Sequence, residues 1–297
     1  MAEKPTSYYV PEQSPWPFIT AVALFLVAFG AANFVQQHSV TGLVANDSNS
    51  GSYILPIGIL GIIAMMFVWF RDTVRESLAN MNSDQMDRSY RMGMLWFIFS
   101  EVMFFAAFFG ALFYVRLLAL PWLAGGGEEA MTHELLWPDF QNLWPLTLTP
   151  GGTTTQAMPA WGLPLLNTAL LVTSSITLTI AHHALIAGNR AKLNIFLFLT
   201  LILGYTFLFF QVEEYIHAYN DLGLTLQAGI YGSTFFMLTG FHGMHVTIGA
   251  IMLTIMLIRS MKGHLTPDNH FAFEASAWYW HFVDVVWLFL FVCVYWL

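Results

Sequence analysis

Seven apolar stretches constrain this chain more than any other feature: they fall near 18–38, 53–70, 92–116, 161–187, 193–217, 228–258 and 271–297. A hydrocarbon core is roughly 30 Å thick and a helix rises about 1.5 Å per residue, so each stretch is long enough to cross it. Inside lipid the backbone N–H and C=O groups have no water to bond, which leaves helices as the solution for runs of this length. The pattern predicts an all-α integral membrane protein with seven transmembrane helices. Composition agrees, with 57% hydrophobic and 9% charged residues, where a soluble domain carries about 25% charged. Prolines in SPWPF and WGLPLL fit the opening turns of the first and fourth spans, where a missing N–H costs nothing.

Charge placement predicts orientation. Of the ten Lys and Arg residues, Lys4 precedes the first span, Arg71, Arg75, Arg88 and Arg91 lie between the second and third, Arg190 and Lys192 between the fourth and fifth, and Arg259 and Lys262 between the sixth and seventh. Those nine share one side, and only Arg116 sits at an opposite helix end. By the positive-inside rule the N-terminus is cytoplasmic and the C-terminus periplasmic. The start MAEKPTSYYVPEQSPWP reads as neither a signal nor a transit peptide, so the first span is expected in the mature protein. A net charge of −8 without a basic tract argues against nucleic acid as a partner, and the single Cys293 supplies neither a disulfide nor a thiolate cluster. The inner segment 71–91 is longer than the GNRAK turn at 188–192, which suggests an N-terminal unit, 1–91, separable from a five-helix bundle, 92–297. The outer segment 117–160, rich in Gly, Pro and Trp, reads as an irregular external loop. No internal repeat is evident, which weakens a transporter reading.

Polar residues within the spans carry the functional question. Counted from the inner end of each span, His183 lies at about 10 Å, Glu101 and His281 at about 15 Å, His245 at about 21 Å, His242 at about 25 Å and Glu213 beyond about 30 Å. Imidazoles and carboxylates in AHHAL, FHGMH and EEYIH tempt a metal reading. Ligands of one ion must sit about 2 Å from it, and residues at such mismatched depths do not converge. The sequence therefore predicts no metal site and structural hydrogen bonding for His182, His183, His242 and His245. Glu101 is different, because an acid near the midplane costs about 2.5–3.5 kcal/mol on insertion scales. A neutral, hydrogen-bonded acid is expected there, with His281 or Ser100 as partner. His281 and Asp284, three apart in an otherwise apolar stretch, share a helical face and are expected to point at other helices. The rival readings are a self-contained di-metal oxidase and a transporter.

These motifs resemble subunit III of cytochrome c oxidase, a haem-copper terminal oxidase. The resemblance runs through SPWP at 14–17, WFRDTVRES at 69–77, RMGMLWFIFSEVMFF at 91–105, PLLNTALL at 164–171, AHHAL at 181–185, YGSTFFMLTGFHGMHVTIG at 231–249 and FEASAWYWHFVDVVWLFLFVCVYW at 273–296. It implies a two-helix unit and a five-helix bundle forming a V that holds phospholipid, packed against catalytic subunit I. Haem and copper belong to partner subunits I and II, with cytochrome c as electron donor, and this chain has no catalytic residue and no cofactor of its own. Glu101 stands at the family's carbodiimide-sensitive acid, with His242, His245, His281 and Asp284 as further proton or structural residues. Arg71, Arg75, Arg259, Lys262 and His264 match lipid head-group positions. The implied role is to stabilise the catalytic subunit, retain lipid and assist proton uptake. The long 117–160 segment looks more bacterial than mitochondrial, so a bacterial plasma membrane is expected, the mitochondrial inner membrane being the alternative.

Overall fold

The computed structural model describes residues 14–38, 50–79, 81–127 and 130–297. Lys4, most of the first outer loop and both glutamates of GGGEE lie outside the described residues. Nine α-helices are described: α1 (Trp16–His38), α2 (Ser50–Leu78), α3 (Asp84–Tyr114), α4 (Leu120–Leu123), α5 (Ala130–Leu136), α6 (Leu163–Ile186), α7 (Arg190–Asn220), α8 (Ile230–Met261) and α9 (Phe271–Leu290). Single π-helical turns follow α3 (Val115–Ala119) and α9 (Phe291–Trp296). Seven helices are long and apolar enough to cross a membrane, and among the described residues β-structure is confined to two isolated bridges. The chain divides into two units, 1–90 and 91–297.

Helices run past the apolar stretches at the ends that carry the basic residues. RDTVRESL continues α2 to Leu78, and DQMDRSYR opens α3 at Asp84, so the connecting segment 71–91, which lies outside the apolar stretches, is mostly helix. The physical reason is simple: helical hydrogen bonding does not stop where hydrocarbon does, and neither stretch contains Gly or Pro. Ser83 starts α3, its hydroxyl accepting from the Met86 N–H at 3.4 Å, while Asp84 and Asp87 complement the positive end of the helix. Asn189 caps α7 in the same way, accepting from the Lys192 N–H at 3.0 Å.

In the first unit α1 and α2 meet through glycines. A Cβ at Gly30 would stand 2.5 Å from the Leu55 nitrogen, and one at Gly58 2.7 Å from the Val27 nitrogen. Between lipid-embedded helices close backbone approach replaces the hydrophobic effect as the source of attraction, and small residues permit it.

The second unit is organised by two tryptophans of α9. Trp280, 1% exposed, fills space left by Gly204 of α7 and Gly249 of α8, where a Cβ would come within 2.6 and 2.9 Å of its ring. Its indole N–H donates to Ser174 Oγ of α6 at 2.9 Å. Two turns on, Trp287 donates to Thr168 Oγ1, also of α6, at 2.9 Å and meets the Phe207 ring of α7 edge-on at 4.8 Å. One helix thus locks three others. By contrast α3 is held through side chains: Phe104 against Phe241, Phe105 against Phe282 and Phe97 against Tyr279, with Arg91 paired to Glu274 at 2.6 Å.

Segment 117–160 is more ordered than its composition suggested. α4 and α5 interrupt it because LPWL and AMTHELL lack glycine and Pro121 sits in a first turn. The rest is tied down: Tyr231 Oη accepts from the Met158 N–H at 3.1 Å, the Leu222 carbonyl accepts from the Gln156 N–H, and Trp144 packs on Tyr231. Arg116, at the helix end opposite the other basic residues, lies over the Trp144 ring at 5.3 Å and donates to the Leu297 carbonyl at 2.7 Å.

Candidate functional site

Within the five-helix unit α3 and α8 bring Glu101 and His245 together: Glu101 Oε2 lies 2.9 Å from His245 Nε2. This corrects the expected pairing of Glu101 with His281 or Ser100. Because α3 begins at Asp84 rather than near Met92, Glu101 is about 25 Å along its helix, and His245 is about 24 Å from the inner end of α8, whereas His281 is only about 15 Å along α9. Ser100 instead donates to the Phe97 carbonyl at 2.7 Å.

The pair's hydrogen count follows from a second contact. His245 Nδ1 is 2.6 Å from the Phe241 carbonyl, which can only accept, so Nδ1 carries a hydrogen. One hydrogen must then lie between Nε2 and Oε2, and the pair has zero net charge whether acid or imidazole holds it. Phe104 and Phe105 flank the imidazole at 5.8 and 5.0 Å. The Glu101 side chain keeps 22% of its surface exposed while His245 keeps 5%, so the acid is the more accessible member.

His242, one turn closer to the outer end of α8, is fully buried. Its Nε2 donates to the Val283 carbonyl at 3.1 Å, and Trp287 and Phe207 cover its ring. Asp284 is buried and faces the Ser175 hydroxyl of α6. His281, half-buried on the same face of α9, lies near His182 of α6. That face therefore points into the unit, toward α6. His182 itself meets the ring of His270 at 5.8 Å, and His183 is exposed. Among the described residues no three His, Cys, Asp or Glu side chains converge in a metal-binding geometry. Glu214 and His217 diverge: the acid is buried, and the imidazole pairs with Asp221 at 2.7 Å on the exposed side.

The basic residues at the helix ends are unequal. Arg71 and Arg75 flank Asp72, each at 3.7 Å, and remain exposed. Lys262 is exposed, His264 is half-buried and Arg259 is buried. Arg190 reaches across the start of α7 to the Leu265 carbonyl at 3.4 Å.

Comparison with known proteins decides the family. The family model described as cytochrome c oxidase subunit III matches residues 6–126 and 130–297. This chain belongs to that family. Proteins named cytochrome c oxidase subunit 3 from Oncorhynchus mykiss and Danio rerio are 39% and 40% identical to it over 297 residues, covering 100% of this chain and 99% of each relative. The relative from Gadus morhua, with the same name and coverage, is 38% identical. The seven membrane helices in a two-helix unit and a five-helix bundle are those of a subunit III, and the Glu101–His245 pair lies in the larger unit of that fold.

Sequence reasoning missed one group. Glu214, Gln211 and Asn167 are all buried, yet EEYIH drew notice only as a metal motif. Helical phase held the signal: Phe207, Gln211, Glu214 and Ala218 recur every three or four residues and form one face, with Glu213 off it.

Proposed function

We propose that this chain is the non-redox accessory subunit of a proton-translocating cytochrome c oxidase, packed directly on subunit I. In this reading electrons pass from cytochrome c to haem and copper held by subunits I and II, and this chain acts on them only through its neighbours. It stabilises the catalytic subunit, binds phospholipid at its inner basic ends and assists proton uptake from that side. The observation that carries the reading is the match of the subunit III family model over residues 6–126 and 130–297, with the Glu101–His245 pair as a polar couple inside the larger unit. Arg71, Arg75 and Lys262, exposed at the inner ends, supply about 1 kcal/mol each toward anionic head groups. His264 and the buried Arg259 are assigned to the same head-group region. His242, His281 and Asp284 hold the helices of the bundle in register. Both candidate membranes, bacterial plasma and mitochondrial inner, give the same sidedness, with the basic ends on the proton-uptake side; the fish relatives fit the second.

Removal of this chain from the purified oxidase under mild detergent tests the proposal. Haem and copper signals and initial oxygen reduction are expected to persist, while working lifetime shortens or proton uptake slows. Immediate loss of a haem or copper signal with the catalytic subunits intact would overturn it.

A further inference from the structure

Near the outer end of the five-helix unit, polar side chains are buried without partners. Glu214 is 0% exposed, and neither carboxyl oxygen has a hydrogen-bond partner among the described residues. The same holds for both amide atoms of Gln211, one turn away on the same face of α7, and for the hydroxyl of Tyr295 in the closing π turn. The Tyr295 hydroxyl faces Glu214 without meeting hydrogen-bond geometry. Gln211 faces the Tyr215 hydroxyl, which is already engaged with Thr239 Oγ1 at 2.7 Å. Asn167 of α6, also 0% exposed with both amide atoms unpartnered, lies about 6 Å from the outer end of its helix, and Glu214 about 9 Å from the outer end of α7. The π turn carrying Tyr295 packs on α6 as well as on α9.

A buried polar atom left unbonded is costly, so these five atoms, on one face of α7 and on the closing turn, call for a small polar ligand at a point among them. We propose that water occupies this point, bridging the Glu214 carboxyl, the Gln211 amide and the Tyr295 hydroxyl, and tying the closing π turn to α7. Water rather than a cation follows from the mixture of groups: the Gln211 amide nitrogen and the Tyr295 hydroxyl present hydrogens, which a cation repels and a water molecule accepts. Internal water of this kind makes about three hydrogen bonds to otherwise unsatisfied groups. The π turn has a role in it, since its wider hydrogen-bond ring re-aims the last residues of α9 and brings Tyr295 over Glu214. The site is separate from the Glu101–His245 pair, which lies on α3 and α8.

Hydroxyl-radical labelling of the intact oxidase by a short X-ray pulse tests this, because radicals form from bound water inside the protein. Tyr295 is expected to be oxidised several-fold faster than Phe273, which is also buried, at the opposite end of the unit. Glu214→Gln should keep the labelling, and Glu214→Leu should lower it several-fold and shorten thermal lifetime. Tyr295 labelled no faster than Phe273 in the wild type would overturn the proposal, a result that stands even if the leucine variant fails to assemble. Labelling that appears only when sodium or potassium is present would overturn it in favour of a cation.

Discussion

At the scale of single residues the decisive arrangement is one hydrogen between Glu101 and His245. Infrared difference spectra between the wild type and Glu101→Gln at pH 7 should show loss of a protonated carboxyl band; loss of a carboxylate band would place the hydrogen on His245 instead. Glu101 should react with an apolar carbodiimide, being the exposed member of the pair. His245→Phe removes the acid's partner and should destabilise the unit, read as a lower denaturation midpoint in detergent. The sequence made Glu101 legible as an unusual acid, because a carboxyl among aromatics advertises its cost. Its partner was not legible: depth was counted from where apolarity begins, and α3 begins eight residues earlier. Asp284 and His281 were read correctly as inward-facing, since two polar residues three apart fix a helical face without any knowledge of depth.

Elements follow a similar division. Seven spans were visible because lipid imposes length and apolarity together, whereas the polar inner extensions of α2 and α3 obey only local helix propensity and carry no such signature. The sockets for Trp280 were hidden for another reason, since Gly204 and Gly249 become informative only once α7 and α8 lie side by side. Trp280→Ala should cost about 3–5 kcal/mol, the range for emptying a buried aromatic site, and Gly249→Val should cost as much by driving a side chain into the indole ring. Thermal unfolding of the purified complex, followed by loss of this chain, measures both. In the smaller unit Gly58→Leu should separate α1 from α2, seen as increased protease cleavage near Leu78 while the larger unit stays protected.

For the whole molecule the charge asymmetry predicts sidedness. Cysteines placed at the exposed Gln85 and Ala191 should label with an impermeant maleimide only from the side bearing the basic ends, and one at the exposed Gln141 only from the other. Labelling of Gln141 from the basic side would overturn the orientation. Ser83 is unsuitable for this because it is buried and its hydroxyl caps α3. The tryptophan locks add a consequence of timing. Their sockets belong to α6, α7 and α8, which leave the ribosome before α9 does, so a chain truncated at 270 would hold four of the larger unit's five helices with one slot lined by Gly204 and Gly249 and two α6 hydroxyls waiting. Insertion of α9 is then the event that commits the unit to its final form, and a quality-control protease would find its best substrate in the interval just before.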